Sequence, residues 1–133
     1  MRNKVFRGLA LFFVGFLSSC SGAEEKALES LQAEVLDLHD ALMPKTERIF
    51  QLNARLDSLA VISKDTTELH QLRLALKKAD AAMMDWMHGF SMDSLKQMPL
   101  PQARQYLMGE MQKLKSIERL SDSSLNAAQK YLP

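Results

Sequence analysis

Apolar residues recur at alternating steps of three and four along most of this chain, and that spacing constrains the fold more than any other feature. The first run consists of Leu28, Leu31, Val35, Leu38, Leu42, Ile49, Leu52, Leu56 and Leu59. This spacing keeps the residues on one face of an α-helix, whereas a β-strand would divide them between its two faces. The pattern predicts a long helix over about 24–63, with Lys45 in the one polar position of its seam, either paired with Asp85 or reaching water.

Two more runs of the same kind follow. The second consists of Leu69, Leu72, Leu76, Ala79, Met83, Trp86 and Phe90. The third consists of Leu107, Met111, Leu114, Ile117, Leu125, Ala128 and Leu132. They predict helices over about 66–89 and 102–132, the latter bending or restarting at 121–124, where four polar residues stand together. Segment 91–101 contains two prolines and is expected to be the longest loop.

The residues that start, end or interrupt these helices predict how the helices are arranged. Asp65 followed by Glu68 is typical of a helix-capping box, and Gly89 is typical of a helix end. Short connections favour antiparallel neighbours, so we expect an all-α, antiparallel three-helix bundle with coiled-coil-like seams. Pro44 lies inside the first helix and removes a backbone donor, so a kink or a short break is expected there.

The N-terminal segment has the three parts of a secretory signal. Arg2, Lys4 and Arg7 give a positive start, and ten mainly apolar residues follow at 8–17. Such a stretch is too short to cross a membrane, which takes about 20 residues. The run Leu17-Ser18-Ser19-Cys20 resembles the lipobox of bacterial lipoproteins, which implies cleavage before Cys20 and attachment of diacylglycerol to its thiol.

These features divide the chain into three parts. We expect a lipoprotein signal peptide at 1–19, the lipidated cysteine with a short tether at 20–26, and a helical bundle at 27–133. The protein would sit in the cell envelope, held at a membrane by its lipid. The usual signal for retention in the inner membrane is an aspartate directly after the lipidated cysteine, and this chain has Ser21 there. We therefore expect the outer membrane, with either the periplasmic or the surface face as the location.

Composition narrows the function. Cys20 is the only cysteine, so a lipid there leaves no thiol for a disulfide or for catalysis. Without the three basic residues of the signal, the chain has 14 basic and 16 acidic residues. The two signs are interspersed, so the sequence predicts no basic surface for nucleic acid. Neither a glycine-rich phosphate loop nor a Gly-x-Ser-x-Gly elbow is found in the sequence, which predicts a protein that is not an enzyme.

Methionine and histidine are concentrated in two places. The residues concerned are His39, Met43, Met84, Met87 and His88. In an antiparallel hairpin that turns near 64–65, facing residue numbers sum to about 129, which brings both groups to one height. In the second hairpin, facing residue numbers sum to about 191, which places residues 104–108 at the same height. The favoured interpretation is packing of adaptable methionines around Trp86 and the proline, and the alternative is a Cu(I) site of thioether and imidazole ligands.

The motifs His39-Asp40-x-x-Met43-Pro44-Lys45 and Met84-Asp85-Trp86-Met87-x-x-Phe90, together with the lipobox, resemble a set of small bacterial lipoproteins. Some of these carry the label "viral A-type inclusion protein", which reflects coiled-coil similarity. The resemblance covers most of the mature chain and implies no established activity. We therefore expect a non-enzymatic structural or protein-interaction module that binds an envelope protein or a second copy, or, alternatively, a copper-handling lipoprotein.

Overall fold

The computed structural model describes residues 19–62 and 66–132. The expected signal peptide lies outside the described residues except for the backbone of Ser19, and the expected capping residue Asp65 lies outside them as well. The localisation and the lipid anchor therefore stay predictions.

Within the described residues, every regular element is an α-helix. They are α1 (Ser19–Ala60), α2 (Thr67–Gly89), α3 (Met92–Gln97) and α4 (Leu100–Tyr131). The all-α prediction is confirmed, and α1, α2 and α4 correspond to the three expected helices. The expected tether at 20–26 is helical and continuous with α1. Among the described helices, none is both long and apolar enough to cross a membrane.

Helix α3 corrects the prediction of an uninterrupted loop over 91–101. Ser91 has an extended backbone, and its hydroxyl oxygen accepts a hydrogen bond from the N–H of Ser94 at 3.2 Å, which starts the helix. One residue, Leu95, is then buried in the core. A six-residue helix with a single anchor is too short to show a periodic pattern in the sequence.

The expected break at Pro44 and the expected restart at 121–124 are wrong, whereas the kink and the bend that were the alternatives stay predictions. Helix α1 runs through Pro44 without a break. Pro44 has no N–H to donate to the carbonyl of Asp40, but both residues are exposed, so water can bond to that carbonyl instead. Helix α4 runs through 121–124 because Ser121 and Ser124 occupy buried seam positions. The hydroxyl of Ser124 donates to the carbonyl of Ser121 at 3.0 Å, which satisfies a buried polar group within the helix.

The core consists of two clusters, and α1, α2 and α4 contribute to both. The first is Val35, Leu42, Met83, Trp86, Leu95, Ala103, Leu107, Leu114 and Ile117. The second is Ile49, Leu52, Leu56, Leu69, Leu76, Ala79, Leu125 and Ala128. The three seams thus bury one another within a single chain.

Side-chain contacts fix the register between the helices. Arg73 of α2 pairs with Asp57 of α1, and their numbers sum to 130, which confirms the expected first hairpin. Phe90 stacks on Tyr106 of α4, and their numbers sum to 196 rather than 191. The start of α4 therefore extends beyond the end of α2, where α3 packs on α4. The expectation failed because the connection holds a helix rather than a symmetric turn.

Lys45 connects α1 to α4. Its Nζ lies 2.7 Å from Oδ1 of Asp122 and 3.4 Å from Oε1 of Glu118, so the expected pairing with Asp85 is wrong. The hydrogen bond to Asp122 raises the pKa of Lys45 above its ordinary value, against the opposing effect of burial. The seam thus tolerates a lysine because its ammonium reaches two carboxylates at the edge of the neighbouring helix.

Replacing Lys45 with glutamine should cost less than about 1 kcal/mol at neutral pH, because a half-exposed ion pair contributes little. The folded-state pKa is raised, so the contribution of the pair is complete below the ordinary value of 10.5 and disappears as the pH rises through the folded pKa. Urea unfolding of wild type and Lys45→Gln across this range should show the two stabilities converging. A difference that persists at the alkaline end would contradict the assignment.

Candidate functional site

Four aromatic rings from three helices form a continuous stack, which we call the aromatic stack: His39, Trp86, Phe90 and Tyr106. The ring centroids of His39 and Trp86 are 5.3 Å apart, and those of Trp86 and Phe90 are 4.9 Å apart. Tyr106 follows at 6.0 Å from Phe90 with an interplanar angle of 13°. Contacts between aromatic rings therefore join α1, α2 and α4 at this height, as expected.

Polar groups hold the two ends of the aromatic stack. The Tyr106 hydroxyl accepts a hydrogen bond from the N–H of Ser91 at 3.1 Å, which ties α4 to the start of the connection after α2. At the other end, Nδ1 of His39 lies 2.9 Å from Oδ1 of Asp40. The sequence reasoning missed Tyr106, although the tyrosine falls inside the 104–108 segment that was expected at this level.

The five candidate metal ligands divide into packed and exposed residues. His39 belongs to the aromatic stack, and Met87 packs against the first core cluster. The other three, Met43, Met84 and His88, are exposed. In the described part of the chain, no group of three or more His, Cys, Asp or Glu side chains could hold a metal ion. Any soft-metal site would therefore depend on the methionines.

Helix periodicity places three exposed apolar side chains on adjoining faces of α1 and α2, and we call them the Met/Phe surface: Met43, Phe50 and Met84, which are 37%, 71% and 41% exposed. Met43, Phe50 and Asp57 follow one another at seven-residue steps and so share a face of α1. Met84 lies eleven residues after Arg73, again a whole number of turns. Because Arg73 pairs with Asp57, these two faces adjoin.

A groove of about 690 Å³ lies between α2 and α4, and we call it the α2/α4 groove. It is lined by Ala82, Asp85, Trp86, Gly89, Gly109, Glu110, Gln112, Lys113, Ser116 and Ile117. Glu110 is only 4% exposed and stands in a seam position of α4, four residues before Leu114. The sequence pattern does not indicate Glu110, because the third apolar run contains the neighbouring residue Met111 instead. Continuing the three-four spacing back from Leu114 and Ile117 would have found it.

Gly109 at this groove allows a test of stability. Glycine inside a helix is less favourable than alanine by about 0.5–1 kcal/mol. A methyl group built at Gly109 would meet no atom within 4 Å, so Gly109→Ala should raise the free energy of unfolding by about that amount. Thermal unfolding of wild type and variant checks this result. A lower stability for the alanine variant would mean that the backbone there requires glycine.

The chain has no match among protein-family models, curated proteins or solved structures. Fold and site together define an all-α helical bundle with a closed core, an aromatic stack, an exposed Met/Phe surface and a separate α2/α4 groove.

Proposed function

We propose that this protein is a non-enzymatic, lipid-anchored interaction module of the cell envelope, of the small-lipoprotein kind that its motifs resemble. The observation that supports this most is the Met/Phe surface. The three seams already bury one another, yet Phe50, Met43 and Met84 stay in water on one side of α1 and α2. Such side chains gain free energy if an amphipathic partner helix covers them.

The lipid and the surface would work together through the length of α1. Cys20 and Met43 lie on the same uninterrupted helix, 23 residues apart. At the rise of an α-helix, this places the Met/Phe surface about 35 Å along α1 from the lipidated residue. A chain anchored at Cys20 would present the surface to a protein in the envelope or to a second anchored copy.

Changing the Met/Phe surface to polar residues tests this function. The double variant Phe50→Gln/Met84→Gln should keep its stability, since both side chains are exposed, but lose association. Chemical cross-linking in envelopes and light scattering after size-exclusion chromatography in detergent measure the association. The matched control is Met108→Gln, a change at an exposed methionine of α4. Association that is equal in wild type, control and double variant, or a wild type that neither self-associates nor cross-links, would count against the proposal.

Copper handling is the second candidate, and the exposure of Met43 and Met84 on adjoining helix faces supports it. Thioether sulfur is a soft ligand that suits Cu(I). Anaerobic Cu(I) titration of wild type and of Met43→Ala/Met84→Ala/His88→Ala separates the two candidates. Loss of a one-equivalent site in the variant would support copper binding, whereas weak binding that is the same in both proteins would end this candidate.

A further inference from the structure

The α2/α4 groove contains a carboxylate in an unusual place. Glu110 occupies a seam position and is 4% exposed, and a buried charge is costly unless it is paired. The partner that the structure shows is Lys113, whose Nζ donates to Oε1 of Glu110 at 2.8 Å. The Lys113 side chain is 64% exposed, so a long flexible cation on the surface covers a carboxylate inside the groove. A guest with its own cationic group could replace it.

Trp86 also lines the α2/α4 groove. The residue is 7% exposed, and its indole N–H is buried without a hydrogen-bond partner. His39 and Phe90 stack on the indole and hold it in place as an apolar wall of the groove.

Gly109 keeps the groove open. Its position in the interior of α4 disfavours glycine, and a methyl group there would meet nothing within 4 Å. Neither close packing nor a positive φ explains the glycine. Its effect is the free space beside Glu110, which a larger side chain would fill.

We propose that the α2/α4 groove binds a small organic cation in which an ammonium group is joined to an apolar body. The ammonium pairs with the carboxylate of Glu110. The apolar body lies against Ala82 and Ile117. The charged residues lining the groove are Asp85, Glu110 and Lys113, with a net charge of −1, so a monocation neutralises them. This site goes beyond the proposed interaction module and lies on a different pair of helices from the Met/Phe surface.

Leucinamide has the required groups and serves as the probe, with N-acetylleucinamide as the neutral control. Trp86 is the only tryptophan of the chain and reports binding through its fluorescence. For a ligand of this size we expect a Kd of about 1 mM with the full chain in non-ionic detergent. The acetylated control, which lacks the ammonium, should bind at least about tenfold more weakly.

Two variants locate the site. Glu110→Gln keeps the shape of the side chain and should weaken leucinamide binding by about tenfold or more, since a hydrogen bond to a charged group is lost. Gly109→Leu should fill the groove and abolish binding while the far-UV circular dichroism stays helical. Glu118→Gln, on the same helix outside the groove, should bind like wild type. No saturable response in wild type, equal binding of the acetylated control, or equal binding by Glu110→Gln would each overturn the proposal.

Discussion

Replacing Trp86 with alanine is expected to lower the free energy of unfolding by about 3–5 kcal/mol, the typical cost of truncating a large buried aromatic residue. Trp86 is in the first core cluster and stacks on the rings of His39 and Phe90, so the substitution opens a cavity and breaks the aromatic stack. A domain of this size has about 5–15 kcal/mol of total stability, so this loss is a large part of it. Urea unfolding followed by far-UV circular dichroism measures the change.

Met84→Ala is the matched control, because Met84 lies two residues before Trp86 on α2 and its side chain is exposed. The control should cost less than about 1 kcal/mol. His39→Ala should fall between the two, since it removes one ring contact at the end of the aromatic stack. Similar losses for Trp86→Ala and Met84→Ala would mean that Trp86 does not hold the three helices together.

Replacing Cys20 with serine is expected to reduce palmitate incorporation into the chain to background. Serine lacks the thiol that the lipobox resemblance assigns to lipidation, so no acyl chains would be attached. Stable anchoring depends on more than one acyl chain, each contributing about 0.8 kcal/mol per buried CH₂. Metabolic labelling with radioactive palmitate, followed by electrophoresis of the purified chain, measures this directly.

Ser21→Ala is the control for this substitution, because it changes the neighbouring residue and leaves the thiol in place. It should label like wild type. Label that persists in Cys20→Ser would place the lipid elsewhere, and a wild type without label would remove the anchor from the proposed function. The copper and groove proposals do not depend on this result.

The three long helices were predictable because each has a regular apolar seam that only a helix can present on one face. Leu42, Leu76 and Leu114 are all seam residues and are all fully buried. The first hairpin was predictable too, since a short turn fixes which residues face each other, as Asp57 and Arg73 show.

The apolar seams did not reveal the core positions that polar or small residues occupy. Glu110, Ser121 and Ser124 lie in the seam of α4, but a search for apolar residues passes over them. Helix α3 is too short for periodicity to be visible, and its presence displaced the register of the second hairpin. The serine cap that starts α3 and the ion pair that lets Glu110 be buried are local interactions, and the spacing of apolar residues does not reveal them.

The candidate site was predictable in position and only partly in content. The concentration of His, Met and Trp residues correctly indicated a height where three helices meet. The two motifs that mark this height contain three members of the aromatic stack, His39, Trp86 and Phe90. The ring contacts themselves could not be predicted, because they depend on side-chain rotamers and on the displaced register that brings Tyr106 to Phe90.

Photo-cross-linking from the Met/Phe surface tests the proposed interaction module most directly. A photoreactive amino acid at Phe50, in the lipidated chain within intact envelopes, should give a discrete cross-linked product with one partner protein or a second copy. The same probe at Arg55, an exposed residue about 140° around α1, should give none. A product from Phe50 alone that disappears in Met84→Gln is the expected result. Equal products from both positions, or none from Phe50, would contradict an interaction through this surface.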